Sequence, residues 1–236
     1  MSANADVLQP SDLIGSRTQT TALPQVRTSR DSNDWNPHNF AREQIRGLVQ
    51  RVFFAGEAPA VRQVVFSAVE PNTDVAELCR QVGHALALEA RGDVAIVNGE
   101  SRGDEPEQAH DRVAGSMGIK AWSTQLSTNL WHVTRFGLRK RGEGPGTGAY
   151  WTSCLTTLRS EFDYAVIHAL AAGVSSEAAR LGQLADGIIL VLGANSTRKA
   201  TARKIKETLE GTQSRILGTV LSERRFPVPA RLYRRL

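Results

Sequence analysis

The chemical question rests on one stretch. Val64-Val65-Phe66-Ser67-Ala68-Val69-Glu70-Pro71-Asn72-Thr73-Asp74-Val75-Ala76-Glu77-Leu78 runs from an apolar strand through a polar turn into a helix. A turn of this kind holds phosphate when glycines let backbone N–H groups close on it, a Lys meets its charge and a Ser or Thr hydroxyl supports Mg²⁺. Here the turn reads Pro71, Asn72, Thr73 and Asp74, and the Lys and hydroxyl positions are Val75 and Ala76. Asp74 stands where the last glycine would be, and its charge repels phosphate. The stretch has the shape of a phosphate-binding loop without its chemistry.

Three further residues could act at the ends of neighbouring strands. His168 closes one apolar run, and a His at a strand's carboxyl end can serve as a general base or metal ligand. Asn98 and Glu100 follow another run and could lie near it. A residue making local hydrogen bonds is the plainer reading of His168. His84, His110 and His132 share no ligand spacing, and no Gly-x-Ser-x-Gly nucleophile elbow occurs. Cys79 and Cys154 form no CxxC pair and read as buried thiols. No metal site is expected.

These positions depend on the elements that carry them. Residues 1–38 are rich in Ser, Thr, Asn, Asp and Pro and read as a disordered tail. Residues 39–54 repeat apolar side chains at Ile45, Leu48, Val49, Val52 and Phe53, an amphipathic helix packed on the domain or on a neighbouring subunit. Short apolar runs at 63–69, 93–97, 130–133, 164–170, 187–192 and 215–221 suit strands covered on both faces. Helical spacing recurs over 73–90, 151–162, 177–183 and 195–210. In the last of these Ala202, Ile205 and Leu209 point inward and Lys199, Arg203, Lys204 and Lys206 outward. Residues 136–150 carry five glycines and read as a long mobile loop, while residues 101–128 show little periodicity. Alternating strands and helices predict an α/β fold, a three-layer parallel sheet with right-handed crossovers. Ligands then bind beyond the carboxyl ends of the strands.

Composition narrows the classes. The chain has 236 residues, 41% hydrophobic and 22% charged, enough for a sizeable core without disulfides. No apolar run approaches the roughly 20 residues of a membrane helix, and no signal-peptide pattern opens the chain. A cytoplasmic protein is expected. The net charge of +5 is concentrated in part in a basic C-terminal tail, 223–236, where Arg231, Arg234 and Arg235 could dock on an acidic partner or a membrane surface. Nothing supports sequence-specific nucleic-acid binding, because no aromatics interleave the basic residues.

With the elements in this order, residues 40–222 resemble the cytoplasmic P-loop domain of bacterial tyrosine autokinases of capsule and exopolysaccharide synthesis, within the MinD/ParA-like P-loop ATPases. Glu43-x-x-Arg46 is similar to the start of that family's Glu-x-x-Arg-x-x-Arg assembly helix, with Val49 in the third place. Phe66 to Pro71 resembles its strand into the P-loop. Val94 to Glu100 resembles the second Walker motif, with Asn98 and Glu100 where aspartates are usual. Phe162-Asp163-Tyr164-Ala165-Val166-Ile167-His168 resembles the Walker B strand, with His168 in place of the Mg²⁺-supporting Asp. Leu184 to Val191 and Gly218 to Ser222 resemble the last two strands, with Ser222 where an adenine-contacting Asn is usual. The C-terminal tyrosine cluster is absent, Tyr233 being the only tyrosine after Tyr164.

The resemblance implies a degenerate nucleotide site formed by Pro71, Asn72, Thr73, Asp74, Val75, Ala76, Asn98, Glu100, His168 and Ser222, with no catalytic residue and no cofactor. It implies a scaffold or regulatory subunit in exopolysaccharide or capsule synthesis, at the inner face of the membrane, with a protein partner and a homo-oligomeric contact through Glu43 and Arg46. Two alternatives stay open. One is an ATPase or kinase that binds ATP and Mg²⁺ through a rebuilt site. The other is a MinD- or ParA-like positioning protein whose basic tail meets membrane or DNA.

Overall fold

The computed structural model describes residues 37–56, 60–99, 118–134, 148–194 and 196–223. The element order is α1 (Pro37–Phe53), β1 (Gln63–Ala68), α2 (Val75–Glu89), β2 (Val94–Asn98), a 3-10 turn (Ile119–Trp122), β3 (Thr124–Ser127), β4 (Leu130–Thr134), α3 (Gly148–Glu161), β5 (Tyr164–Ala169), α4 (Glu177–Leu184), β6 (Gly187–Gly193), α5 (Lys199–Gly211) and β7 (Ile216–Ser222). The strands form one sheet in the order β3-β4-β2-β5-β1-β6-β7.

Six strands lie parallel, as their apolar runs require. Every residue of β1 is buried, and its side chains alternate between two cores. Val64 and Phe66 join Val94, Ile96, Val166 and Ile189 beneath α1 and α2. Val65 joins Ala95, Val97, Ile167, Ile188 and Leu190 beneath α3, α4 and α5. Helices on both faces make the three layers expected of a parallel sheet. At Gly83 in α2 a Cβ would collide with the side chain of Ile96, so the missing side chain lets this helix settle directly on β2.

The structure departs from the sequence reading in several places. β3 pairs antiparallel with β4 at the sheet edge. Its four residues are all exposed, so no hydrophobic alternation marks it. α3 begins at Gly148, inside the stretch read as a loop. α2 begins at Val75 rather than Thr73, because Asp74 serves as its N-cap. α1 starts at Pro37, a first-turn position that suits a residue without an N–H. α5 starts at Lys199 rather than 195.

The amino ends of the central strands are tied by one carboxylate. Asp186 Oδ2 accepts the backbone N–H groups of Arg62 and Gln63, each at 2.7 Å, and Oδ1 accepts from the Arg159 guanidinium at 2.7 Å. Burial pushes the Asp186 carboxyl upward. The Arg159 and backbone hydrogen bonds outweigh that and hold it below the usual carboxylate range. Buried Gln63 completes the network, donating to Leu155 O at 2.9 Å and accepting from Arg159 at 3.3 Å.

Candidate functional site at the carboxyl ends of the strands

The parallel register brings most of the expected residues to one end of the sheet. Asn98 pairs in register with His168, and His168 with Phe66. Gly193 at the end of β6 pairs with Ser222 at the end of β7, and Ala194 N–H donates to Ser222 O at 2.9 Å. The loop of Pro71 to Asp74 leaves β1 between these two groups. Glu100 and the tail arginines Arg231, Arg234 and Arg235 lie outside the described residues.

His168 and Asn98 face each other. His168 is buried, and its Nδ1 lies 3.3 Å from Asn98 Oδ1. Its backbone carbonyl accepts the Gly99 N–H at 2.9 Å. Among the described residues no three His, Cys, Asp or Glu side chains converge as a metal ligand set.

In the β1–α2 loop Asn72 and Asp74 are exposed and Thr73 is buried. Asp74 Oδ1 accepts the Glu77 N–H at 3.0 Å, which caps α2. Asp74's own N–H donates to Glu223 Oε1 at 3.4 Å, and the Val75 N–H donates to Thr73 O at 3.0 Å. Two carboxylates, Asp74 and Glu223, thus meet the amides where a phosphate would approach a helix N-terminus. Among the described residues positive φ occurs only at Gly56, Gln213 and Glu223, so the loop 69–74 contains no left-handed position on which an αR–αL anion nest could be built. Sequence reasoning missed Glu223. Its contact with Asp74 spans 149 residues, and its φ of 58° leaves no mark in residue type.

Thr73 stands apart in this loop. It is 8% exposed, and its hydroxyl has no hydrogen-bond partner among the described residues. It lies beside Gly193, where an added Cβ would come within 3.3 Å of Thr73 Oγ1. Gly193 N–H is held by Thr197 Oγ1 at 3.0 Å. Behind the loop, Cys79 is fully buried, and burial, helped by the charge of Asp74, pushes its thiol far above the usual range. It is a packing residue rather than a nucleophile. Cys154 is likewise a buried free thiol.

The Glu43–Arg46 pair is exposed, and Arg46 also reaches α2. Arg46 donates to Glu43 at 3.0 Å and lies 3.4 Å from Glu89 of α2, whose carboxylate also accepts from Gln50. α1 and the residue that follows it are further anchored by edge-to-face contacts of Phe53 and Phe54 with Tyr164, at centroid distances of 5.9 and 5.8 Å.

A mostly parallel sheet layered by helices, with this loop after its central strand, defines a P-loop-type α/β domain. The fold matches the VpsO kinase domain (TM-score 0.60, 16% identity, 80% of this chain and 98% of that one) and the kinase domain of Escherichia coli tyrosine kinase ETK (TM-score 0.59, 14% identity, 80% and 79%). More distantly it matches the Aquifex aeolicus MinD cell division protein (TM-score 0.51, 13% identity, 68% and 69%). Within that class, one segment of 75 residues is 31% identical to tyrosine-protein kinase CpsD of Streptococcus agalactiae serotype III, covering 32% of each chain. The match therefore spans about a third of the curated relative's length. No family model matches the chain. The resemblance to bacterial tyrosine-kinase domains thus holds in fold and, over that segment, in sequence, and the likeness to MinD holds in fold.

Proposed function

We propose that this chain is a catalytically silent member of the tyrosine-kinase-like P-loop domains and acts by binding another protein. The observation that carries the reading is the start of α2, where the N–H groups of Asp74, Val75 and Glu77 go to Glu223, to Thr73 O and to the Asp74 carboxylate. Mg²⁺-nucleotide does not fit these residues. Phosphoryl transfer rests on positioning and charge neutralisation, and losing one electrostatic stabiliser costs roughly 10²–10³ in rate. Here Val75 and Ala76 replace the cation and the hydroxyl, and the Walker aspartate positions hold Asn98, Glu100 and His168.

The setting we propose follows the resemblance: a scaffold or regulatory subunit of an exopolysaccharide or capsule assembly, on the cytoplasmic face of the membrane. Among the described residues no helix is long and apolar enough to cross a membrane. The test is calorimetric titration with ATP and ADP, with and without Mg²⁺. No heat at millimolar nucleotide is the expected result, and micromolar affinity would overturn the reading.

One observation favours a second reading, a rebuilt nucleotide site. The buried Thr73 hydroxyl lacks a partner among the described residues, and a ligand could supply one. That reading expects saturable ATP or ADP binding that weakens in Thr73→Val.

A further inference from the structure

α2 lies over β1, β2, β4 and β5. Between the end of α1 and the strands β6 and β7, the same face of the sheet holds a groove of about 730 Å³. Leu48, Val52, Phe54 and Val61 line it beside Ile189 and Leu217 of the sheet. Gly218 also belongs to the lining, and a Cβ there would meet nothing within 4 Å. Arg51 and Arg215 are the charged members of the lining. Both are exposed, and neither forms an ion pair with another described residue.

The groove adjoins a sheet edge. β7 is the terminal strand, and no described strand pairs with its outer side. An edge strand presents a row of backbone donors and acceptors that templates the addition of another strand. A gap of mixed apolar and polar lining beside such an edge, flanked by cations, has the parts of a strand-addition site: main-chain bonds for affinity, a pocket for an alternate side chain, and charges for selection.

We propose that this groove and the β7 edge receive an extended segment of a partner protein, with an apolar side chain seated over Gly218 and acidic residues meeting Arg51 and Arg215. Guanidinium groups pair with carboxylates in a planar, two-pronged geometry. Two arginines are too few for a lipid surface, whose recognition takes clusters of about 4–8 basic residues. The edge adds main-chain pairing that a small amphiphile would leave unused. This inference goes beyond the scaffold reading and does not depend on whether nucleotide binds.

The test uses the full chain and fluorescence anisotropy with a labelled eight-residue peptide that alternates Glu with Val, Leu and Phe. A control peptide carries Lys in place of every Glu. Saturable binding of the acidic peptide is expected, with the control at least about tenfold weaker, a difference of about 1.4 kcal/mol. Gly218→Phe fills the open space at that position and should weaken binding by about tenfold or more while the far-UV spectrum stays unchanged. The double variant Arg51→Glu/Arg215→Glu should reverse the preference toward the lysine peptide, and it decides the matter even if Gly218→Phe fails to fold. Equal affinity for both peptides, or no saturable binding, overturns the proposal. So does concentration-dependent self-association by sedimentation that Gly218→Phe abolishes, since the groove would then belong to a second copy of this chain. Heat on adding nucleotide would overturn the catalytically silent reading and leave this one standing.

Discussion

Asp74 shows how one side chain settles the character of the loop. Its carboxylate holds the first turn of α2 through the Glu77 N–H at 3.0 Å, while its backbone N–H turns to Glu223. Asp74→Ala should lower stability by about 1 kcal/mol, the usual cost of losing an N-cap, and Asp74→Asn should be nearly neutral. Urea midpoints of the two variants check this ranking. Thr73 offers the opposite case. Its buried hydroxyl carries a desolvation cost with no bond among the described residues to offset it, so the isosteric Thr73→Val should leave stability unchanged or raise it. A drop of more than about 1 kcal/mol in denaturant would mean that the hydroxyl has a partner.

Among elements, the tie that joins the amino ends of β1 and β6 to the last turns of α3 contributes to the dependence on pH. The Asp186 carboxyl is held below its ordinary range, so its contribution is present above the unfolded carboxylate range, near 4, and is lost as pH falls through the folded value. Asp186→Asn should cost about 1.5–3 kcal/mol at pH 7, as expected for hydrogen bonds to a charged group. It should also flatten the part of the acid limb due to this group, which unfolding curves between pH 7 and pH 3 would read. The same elements show what a sequence can disclose. β1, β5 and β6 are apolar on both faces, so their identity and parallel sense were legible from residue type. β3 was not, because Thr124-Gln125-Leu126-Ser127 is wholly exposed and gains its pairing from β4. The first turn of α3 was hidden by glycines at 146 and 148. The strand-end positions of Asn98, His168 and Ser222 were legible, since apolar runs mark the strands that carry them. The interactions of the loop were not, because Glu223 reaches Asp74 only through the folded chain.

At the scale of the molecule, the sheet grades from a buried centre to exposed margins. β5 and β1 are buried along almost their whole length, whereas β3 is exposed and β7 only partly covered. Hydrogen exchange should follow that grading, with the slowest amides in β1, β5 and β2 and faster exchange in β3 and β7. A uniform rate across all seven strands would contradict it. The exposed face of α5, with Lys199, Arg203, Lys204 and Lys206 outward, contributes to the positive surface without crowding the groove.

The pairing of β6 with β7 slips by one residue between Ile188 and Ile189, so that Leu217 is an extra residue in its strand. That slip has a consequence for how the gene can change length. Loss of a codon within β1, β5 or β6 would invert the facing of every side chain beyond it. Loss of the codon for Leu217 would instead bring Ile216 and Gly218 into consecutive register with Ile188 and Ile189, leaving the strands in phase and removing only one side chain from the groove lining. A codon-deletion scan should therefore find its most tolerant strand position at Leu217.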